Sequence, residues 1–279
     1  MTVLLAGLCT IDLVQRVERL PAPGEKVQSL EVDTAAGGPA TNAAVTVAAL
    51  GRRARLLTVL GAHPLAGLAR ADLEAHGVTV HDLAPDFPHP PAVSAVAVRE
   101  RDGERTVVSH NAGKAPPGPP DWPEPAEPVR AVLLDGHHPE LALRVARWAR
   151  AAGAPVVLDA GSWKPVLAEL LPLVDIAACS AQFRAPEGAL RAVPAVLTTA
   201  GPDPVRWRAG GAEGEVPVPR VAEVADTLGA GDVWHGALAA RVGELALPEL
   251  IAFANEVAAE RVRHRGPRSW VSPIRARWE

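Results

Sequence analysis

From residue 129 onward the chain repeats one pattern: a short continuous apolar run, then a stretch with apolar residues at helical spacing. Residues 129–134 read as a strand ending at Asp135. Leu141, Val145, Trp148 and Ala149 then mark one face of a helix that Gly153 stops. Residues 156–158 form the next strand, ending at Asp159, with a helix over about 164–171. Residues 174–178 lead to Ser180, and residues 195–198 lead to Thr199-Ala200-Gly201. A hairpin near Gly210-Gly211 precedes two helices, over about 230–242 and 248–264. Runs apolar throughout belong to strands covered on both faces, and strand–helix alternation joins parallel strands through right-handed crossovers. The expected fold is α/β, a three-layer α/β/α sandwich with a mostly parallel central sheet.

The first half follows the same logic with an interruption. Residues 3–8 read as a buried strand, which places Asp12 just past its carboxyl end, where open α/β sheets bind ligands. Residues 13–36 do not read as helix, because Pro21, Pro23 and Gly24 break them. They are expected as exposed strands standing off the main sheet. Gly37-Gly38-Pro39-Ala40-Thr41-Asn42 leads into a helix over 43–50, closed by Gly51. A strand over 55–60, a helix over 64–76 and a strand over 78–83 follow. Residues 92–98 and 105–109 alternate apolar and polar around Asp102-Gly103, a tight-hairpin dipeptide. This hairpin should pair with 13–36 into a small second sheet, a lid built from about 13–36 and 92–110. The seven prolines within 115–128 read as an extended surface connector. One domain over 1–279 is expected, and no internal repeat is evident.

Composition narrows the partners. A net charge of −4 gives no electrostatic reason for nucleic acid or an anionic membrane surface. No apolar run approaches the roughly 18 residues that span a bilayer. Two cysteines, Cys9 and Cys179, make neither a disulfide framework nor a zinc site. The chain opens on a strand-like run without a charged leader, so a reducing cytoplasm is the expected location.

The chemistry should lie in Asp226-Thr227-Leu228-Gly229-Ala230-Gly231-Asp232, a glycine loop that opens at once into an apolar helix. The first turn of such a helix offers unpaired N–H groups and the positive end of the helix dipole. Gly229, Ala230 and Gly231 could therefore cradle a phosphate. Asp232 at the mouth of that cradle repels a resting phosphate, so its fitting task is to take a proton from an attacking nucleophile. The other reading is a strand-to-helix turn with an aspartate cap. The chain has no G-x-x-x-x-G-K-[ST], and its glycines miss the G-x-G-x-x-G spacing.

The Gly-Gly-x-x-x-Asn segment at 37–42 and the Asp-Thr-x-Gly-Ala-Gly-Asp loop at 226–232, in this order, resemble the ribokinase-like (PfkB) family of carbohydrate kinases. The resemblance implies a ribokinase-like sandwich with a β-sheet lid, ATP and Mg2+ as cofactors, and a lid-to-lid homodimer. Carried over to this chain, it implies Asp232 as catalytic base and the backbone of Gly229, Ala230 and Gly231 as anion hole. Asp12, Gly38 and Asn42 fall on acceptor contacts. Ser180, Thr199, Gly201, Thr227, Gly229 and Asn255 fall on the nucleotide side, and no residue is implied as a metal ligand. One departure stands out. Many members carry Asn-x-x-Glu where this chain has Ser180-Ala181-Gln182-Phe183. The ketohexokinase and sulfofructose kinase subgroup, which this chain resembles most, tolerates a serine there.

The acceptor is not legible. Lys26 on the lid, His137-His138 after a strand end and Asn111 where the lid hairpin returns are the groups that could meet an anionic or polar substituent. The leading expectation is an ATP-dependent kinase acting on a hydroxyl of a small sugar-like molecule. A nucleoside kinase of the same fold, or a catalytically silent sugar- or nucleotide-binding sensor, remain the alternatives.

Overall fold

Strand β1 (Thr2–Ala6) is buried at every position and organises the layers through its period-two alternation. Val3 and Leu5 enter one core, Leu4 and Ala6 the other. In the computed structural model, which describes residues 1–111, 122 and 124–279, the elements after β1 are β2 (Thr10–Val17), β3 (Ser29–Gly37), α1 (Pro39–Ala49), β4 (Arg53–Thr58), α2 (Pro64–Ala75) and β5 (Val78–Asp82). Then come β6 (Ala92–Arg99), β7 (Arg105–Ser109), β8 (Val129–Leu134), α3 (Pro139–Ala152), β9 (Val156–Ala160), α4 (Leu167–Leu170), β10 (Ile176–Ser180) and β11 (Ala195–Ala200). The chain closes with β12 (Asp203–Ala209), β13 (Ala212–Val216), α5 (Ala230–Arg241), α6 (Leu247–Arg261) and α7 (Val271–Trp278).

The main sheet has the order β13-β12-β11-β10-β9-β8-β1-β4-β5. The strands from β5 to β11 are parallel, and β12 and β13 finish one edge antiparallel. Helices α1, α2, α5, α6 and α7 cover one face, α3 and α4 the other. This is the α/β sandwich expected from the alternation, with the carboxyl ends of the parallel strands along one rim. No helix among the described residues is long and apolar enough to cross a membrane.

The second sheet has the order β3-β2-β6-β7, with β2 parallel to β6 and the outer pairs antiparallel. The lid therefore assembles as expected from both segments. Its inner face carries Asp12, Val14 and Arg16 on β2 and Ser94, Val96 and Val98 on β6. Leu228 of the glycine loop packs against Val14, Val96 and Val98.

Several boundaries differ from the sequence reading. Strand β2 starts at Thr10, so Asp12 belongs to the lid strand. Helix α1 starts at Pro39, whose fixed φ suits the first helical position. The helix expected over 164–171 is one turn, α4, followed by a 3-10 turn over Leu171–Leu173. Pro172 removes the N–H that a longer α-helix would need. Helix α7 was not expected at all. Pro273 stands in its first turn, while Val271 and Ile274 hold it on the core. Residues 115–121 and 123 of the proline-rich connector lie outside the described residues.

Candidate active site

The site grows from two glycine-rich turns that meet above the rim of the sheet. The first is pinned to the strand ends below it. Gly38 adopts φ 97°, and a Cβ there would stand 2.5 Å from the Leu8 carbonyl oxygen. Thr41 Oγ1 donates to that same oxygen at 3.1 Å. Asp135, at the end of β8, accepts from the Leu8 amide at 2.8 Å and the Ala40 amide at 3.3 Å. Although burial opposes it, the neighbouring His137 and the surrounding amides hold the Asp135 carboxyl well below the usual carboxylate range. These bonds orient the start of α1 and with it Asn42.

The second turn is the loop 226–232. Gly229 takes the left-handed φ of 72° that starts α5, and the amides of Gly231 and Asp232 stand in the first turn, where no intrahelical carbonyl reaches them. Asp226 anchors the loop from below: it accepts from the Leu228 amide at 2.9 Å and the Gly266 amide at 3.1 Å. Its Oδ2 also meets Arg16 of the lid at 3.2 Å and Arg261 of α6 at 3.6 Å. Arg105 of β7 donates to Thr227 Oγ1 at 2.7 Å. The lid is thus fastened to the loop by two arginines as well as by Leu228.

Asp232 sits where the two turns meet, accepting from Asn42 Nδ2 at 2.8 Å. The other amide atom of Asn42 is also engaged, since Arg268 Nη1 donates to Asn42 Oδ1 at 3.1 Å. Arg268 is fixed in turn by Asp72 of α2, at 3.0 Å through Nε and 2.9 Å through Nη2. Burial, and then the negative charge of Asp159, push the Asp232 carboxyl up to about 7, against the Asn42 hydrogen bond and His235. Asp159 is the penultimate residue of β9, and its Oδ2 lies 3.2 Å from His235 Nδ1, one turn along α5 from Asp232. Asp12, opposite across the lid, accepts from Thr10 Oγ1 at 2.6 Å and is raised by burial.

The residues expected at the site divide clearly. Asp12, Asn42 and Gly229 line one hollow, with Leu228 as its lid-side wall. Gly38, Thr227, Ala230, Gly231 and Asp232 belong to the same two turns, close in sequence to the lining residues. Asn111 lines a second hollow beyond Leu8 and Cys9, together with Phe87, Pro90, Pro91, His110 and His138. Burial pushes the His138 imidazole towards its neutral form, and its Nε2 has no hydrogen-bond partner among the described residues. Ser180 donates to the Gly161 carbonyl at 3.1 Å and Thr199 to the Cys179 carbonyl at 3.5 Å, with Gly201 in the turn after β11. Phe183, at the position of the missing acid, is buried against Trp163 in the core of the α3 face.

Two expected residues stand apart from this cluster. Lys26 lies exposed in the tip loop between β2 and β3, a hairpin's length from Asp12. Asn255 is buried, with its Oδ1 accepting from Trp234 Nε1 at 2.8 Å and its Nδ2 donating to the Pro217 carbonyl at 3.1 Å. Sequence reading missed Asp159, His235, Arg16, Arg261 and Arg268. The i, i+3 spacing of Asp232 and His235 was the one local signal available. Nothing local marks Arg268 as the partner of Asn42.

A glycine loop at a helix start, an aspartate at its mouth and a lid over both define a small-molecule phosphotransferase of the α/β class. The chain belongs to the pfkB family of carbohydrate kinases, whose model matches residues 2–275. It is 28% identical over 264 residues to a ribokinase of Bacillus subtilis, covering 91% of this chain and 90% of that one. The structure of Arabidopsis thaliana ribokinase complexed with ribose and ATP superposes with a TM-score of 0.74 at 23% identity, covering 98% of each chain. A Burkholderia thailandensis nucleoside kinase in complex with inosine has the same fold, with a TM-score of 0.73 at 18% identity, covering 99% of this chain and 96% of that one.

Proposed function

We propose that the protein transfers the terminal phosphoryl group of ATP to a hydroxyl of a small sugar or sugar-like acceptor. Asp232 takes the hydroxyl proton as the new oxygen–phosphorus bond forms, and the bond to the departing ADP breaks in line with it. The backbone of 229–231 at the start of α5 stabilises the charge on the phosphoryl group in flight. The observation that carries this reading is Asp232 at the mouth of the cradle, oriented by Asn42 and raised to about 7, close to working pH. A general base works best with such a proton affinity. The test is Asp232→Asn, which should lower kcat by about 10²–10⁴-fold while leaving ATP affinity nearly unchanged. Full turnover by that variant would remove the base assignment.

ATP would lie along the ends of β10 and β11, near Ser180, Thr199 and Gly201, with Thr227 and Gly229 at its phosphates. A magnesium ion would be carried on ATP oxygens and its own waters. When bound, that ion offsets phosphate charge. Asp12, Gly38 and Asn42 would hold the acceptor's hydroxyls, and its remote end would reach the hollow at Asn111 and His138. No lysine or arginine lines that hollow among the described residues. The acceptor classes to distinguish are a free sugar, a nucleoside and a phosphorylated sugar. ADP release with ribose, fructose, inosine and ribose 1-phosphate, each with ATP and magnesium, separates these cases. A silent sensor is the second reading, motivated by Ser180 and Phe183 in place of Asn and Glu; turnover on any one acceptor excludes it.

The working form is proposed to be a homodimer through the outer face of the lid, where Leu30, Val32 and Val108 are exposed. A reducing cytoplasm suits the two cysteines: both are free thiols, and burial pushes each up to about 12.

A further inference from the structure

Behind the base lies a pair of buried side chains that the proposed proton transfer does not use. His235 is 6% exposed and Asp159 also 6% exposed, and their facing atoms are 3.2 Å apart. Asp159 projects from β9 and His235 from α5, so the pair also ties the helix to the sheet. One turn along the same face of α5 is Asp232; residues so spaced have Cβ atoms about 5–6 Å apart.

We infer that His235, anchored by Asp159, is a positioning residue that holds a positive charge behind Asp232 and keeps its carboxylate ready to accept the acceptor's proton. This rests on Asp232 being the base. A buried imidazole would normally stay neutral, and burial does act in that direction here. The Asp159 carboxylate outweighs it, aided by Asp232, so His235 is raised above its ordinary range. The groups acting on Asp232 come from five elements: Asp159 on β9, His235 on its own helix, Asn42 on α1, Asp12 on the lid and Arg261 on α6. Asp159 and Asp12 are carboxylates that disfavour its charge. Of the two cations, Arg261 is held by Asp226 and the carbonyls of Leu228 and His264, while His235 is the one that faces Asp159. Without His235, Asp159 would act on Asp232 with no cation paired to it. With both gone, the field would be close to the one the pair produces together.

That symmetry gives the test. His235→Gln should move the acidic limb of the kcat/KM profile upward by about one pH unit or more, with kcat largely recovered above that limb. The double variant Asp159→Asn/His235→Gln should bring the limb back towards wild type, which lost packing alone would not do. The profile is measured with the fastest acceptor among ribose, fructose, inosine and ribose 1-phosphate. A second measurement needs no turnover. The imidazole resonance lost in His235→Gln should titrate in the wild type above the ordinary histidine range, and fall back in Asp159→Asn. An unmoved limb in His235→Gln, a double variant no better than the single one, or an imidazole that is neutral at pH 7 overturns the inference. If Asp232→Asn turns over like wild type, the base assignment falls and this inference with it. If Asp232→Asn is inactive while the His235→Gln limb stays put, this inference falls alone.

Discussion

Asn42 Nδ2 and Asp232 Oδ2 lie 2.8 Å apart although 190 positions separate them in the chain. The bond joins the two glycine-rich turns, and the direction of the amide is set from behind. Arg268 donates to Asn42 Oδ1, which leaves Nδ2 to face the carboxylate. A residue near the carboxyl end of the chain thereby sets how the proposed base is held. Arg268 depends on Asp72, whose carboxyl stays near 2 despite burial through His76, Arg268 and the Ala36 amide.

Arg268→Met should therefore lower kcat more than it weakens ATP binding, because Asn42 loses the partner that orients it. It also leaves Asp72 mostly buried with His76 as its remaining cationic partner, which costs about 1–3 kcal/mol of stability. Steady-state kinetics beside a urea melt check both. Equal losses in kcat and ATP affinity would place Arg268 in general support of the fold.

Gly236 lets α5 lie directly on α1. A Cβ there would come 2.6 Å from the Ala43 carbonyl oxygen and 2.7 Å from Thr46 Cβ. Gly236→Ala should cost about 1–3 kcal/mol by overpacking. It should also lower kcat, since moving the helices apart lengthens the Asn42–Asp232 bond. A variant with wild-type melting temperature and turnover would contradict the account.

The raised Asp232 carboxyl has a stability consequence with a definite sign. Its affinity for a proton is higher folded than unfolded, so its contribution is full below about pH 4 and is lost as pH rises through about 7. Asp232→Asn has no such titration. Its melting temperature relative to wild type should rise between pH 5 and pH 8, by the equivalent of about 1–2 kcal/mol, because the partly exposed carboxylate is screened on its cleft side. Scanning calorimetry at both pH values measures it, and a constant difference would refute the shift.

The lid's outer face supplies a prediction about assembly. Val32 and Val108 are 56% and 72% exposed on its two outer strands. If lids pair in solution, Val32→Glu should convert a particle of twice the chain mass into a monomer, read by light scattering. A monomeric wild type would end the idea.

The strand–helix alternation after residue 129 was enough to announce a parallel sheet covered on both faces, because side-chain periodicity is a local property. The two glycine turns were legible for the same reason: Gly38 and Gly229 sit at positive φ that side chains resist. The lid could be read from broken helical pattern and the Asp102-Gly103 turn. Helix α7 could not, because a proline in a short, weakly patterned segment gives no local sign of a helix, and only the core holding Val271 and Ile274 makes one. The site divides in the same way. Asp232, Gly229 and Asn42 were visible as motif residues, but which atom meets which was not. Pairings such as Asn42–Asp232, Asp159–His235 and Arg268–Asp72 join elements made neighbours only by strand order and helix packing. A carboxylate's proton affinity depends on burial and on charges brought near from other segments. Motif chemistry was thus written in the sequence, while the environment that tunes it was decided by the tertiary structure, because electrostatic interactions act through space rather than along the chain.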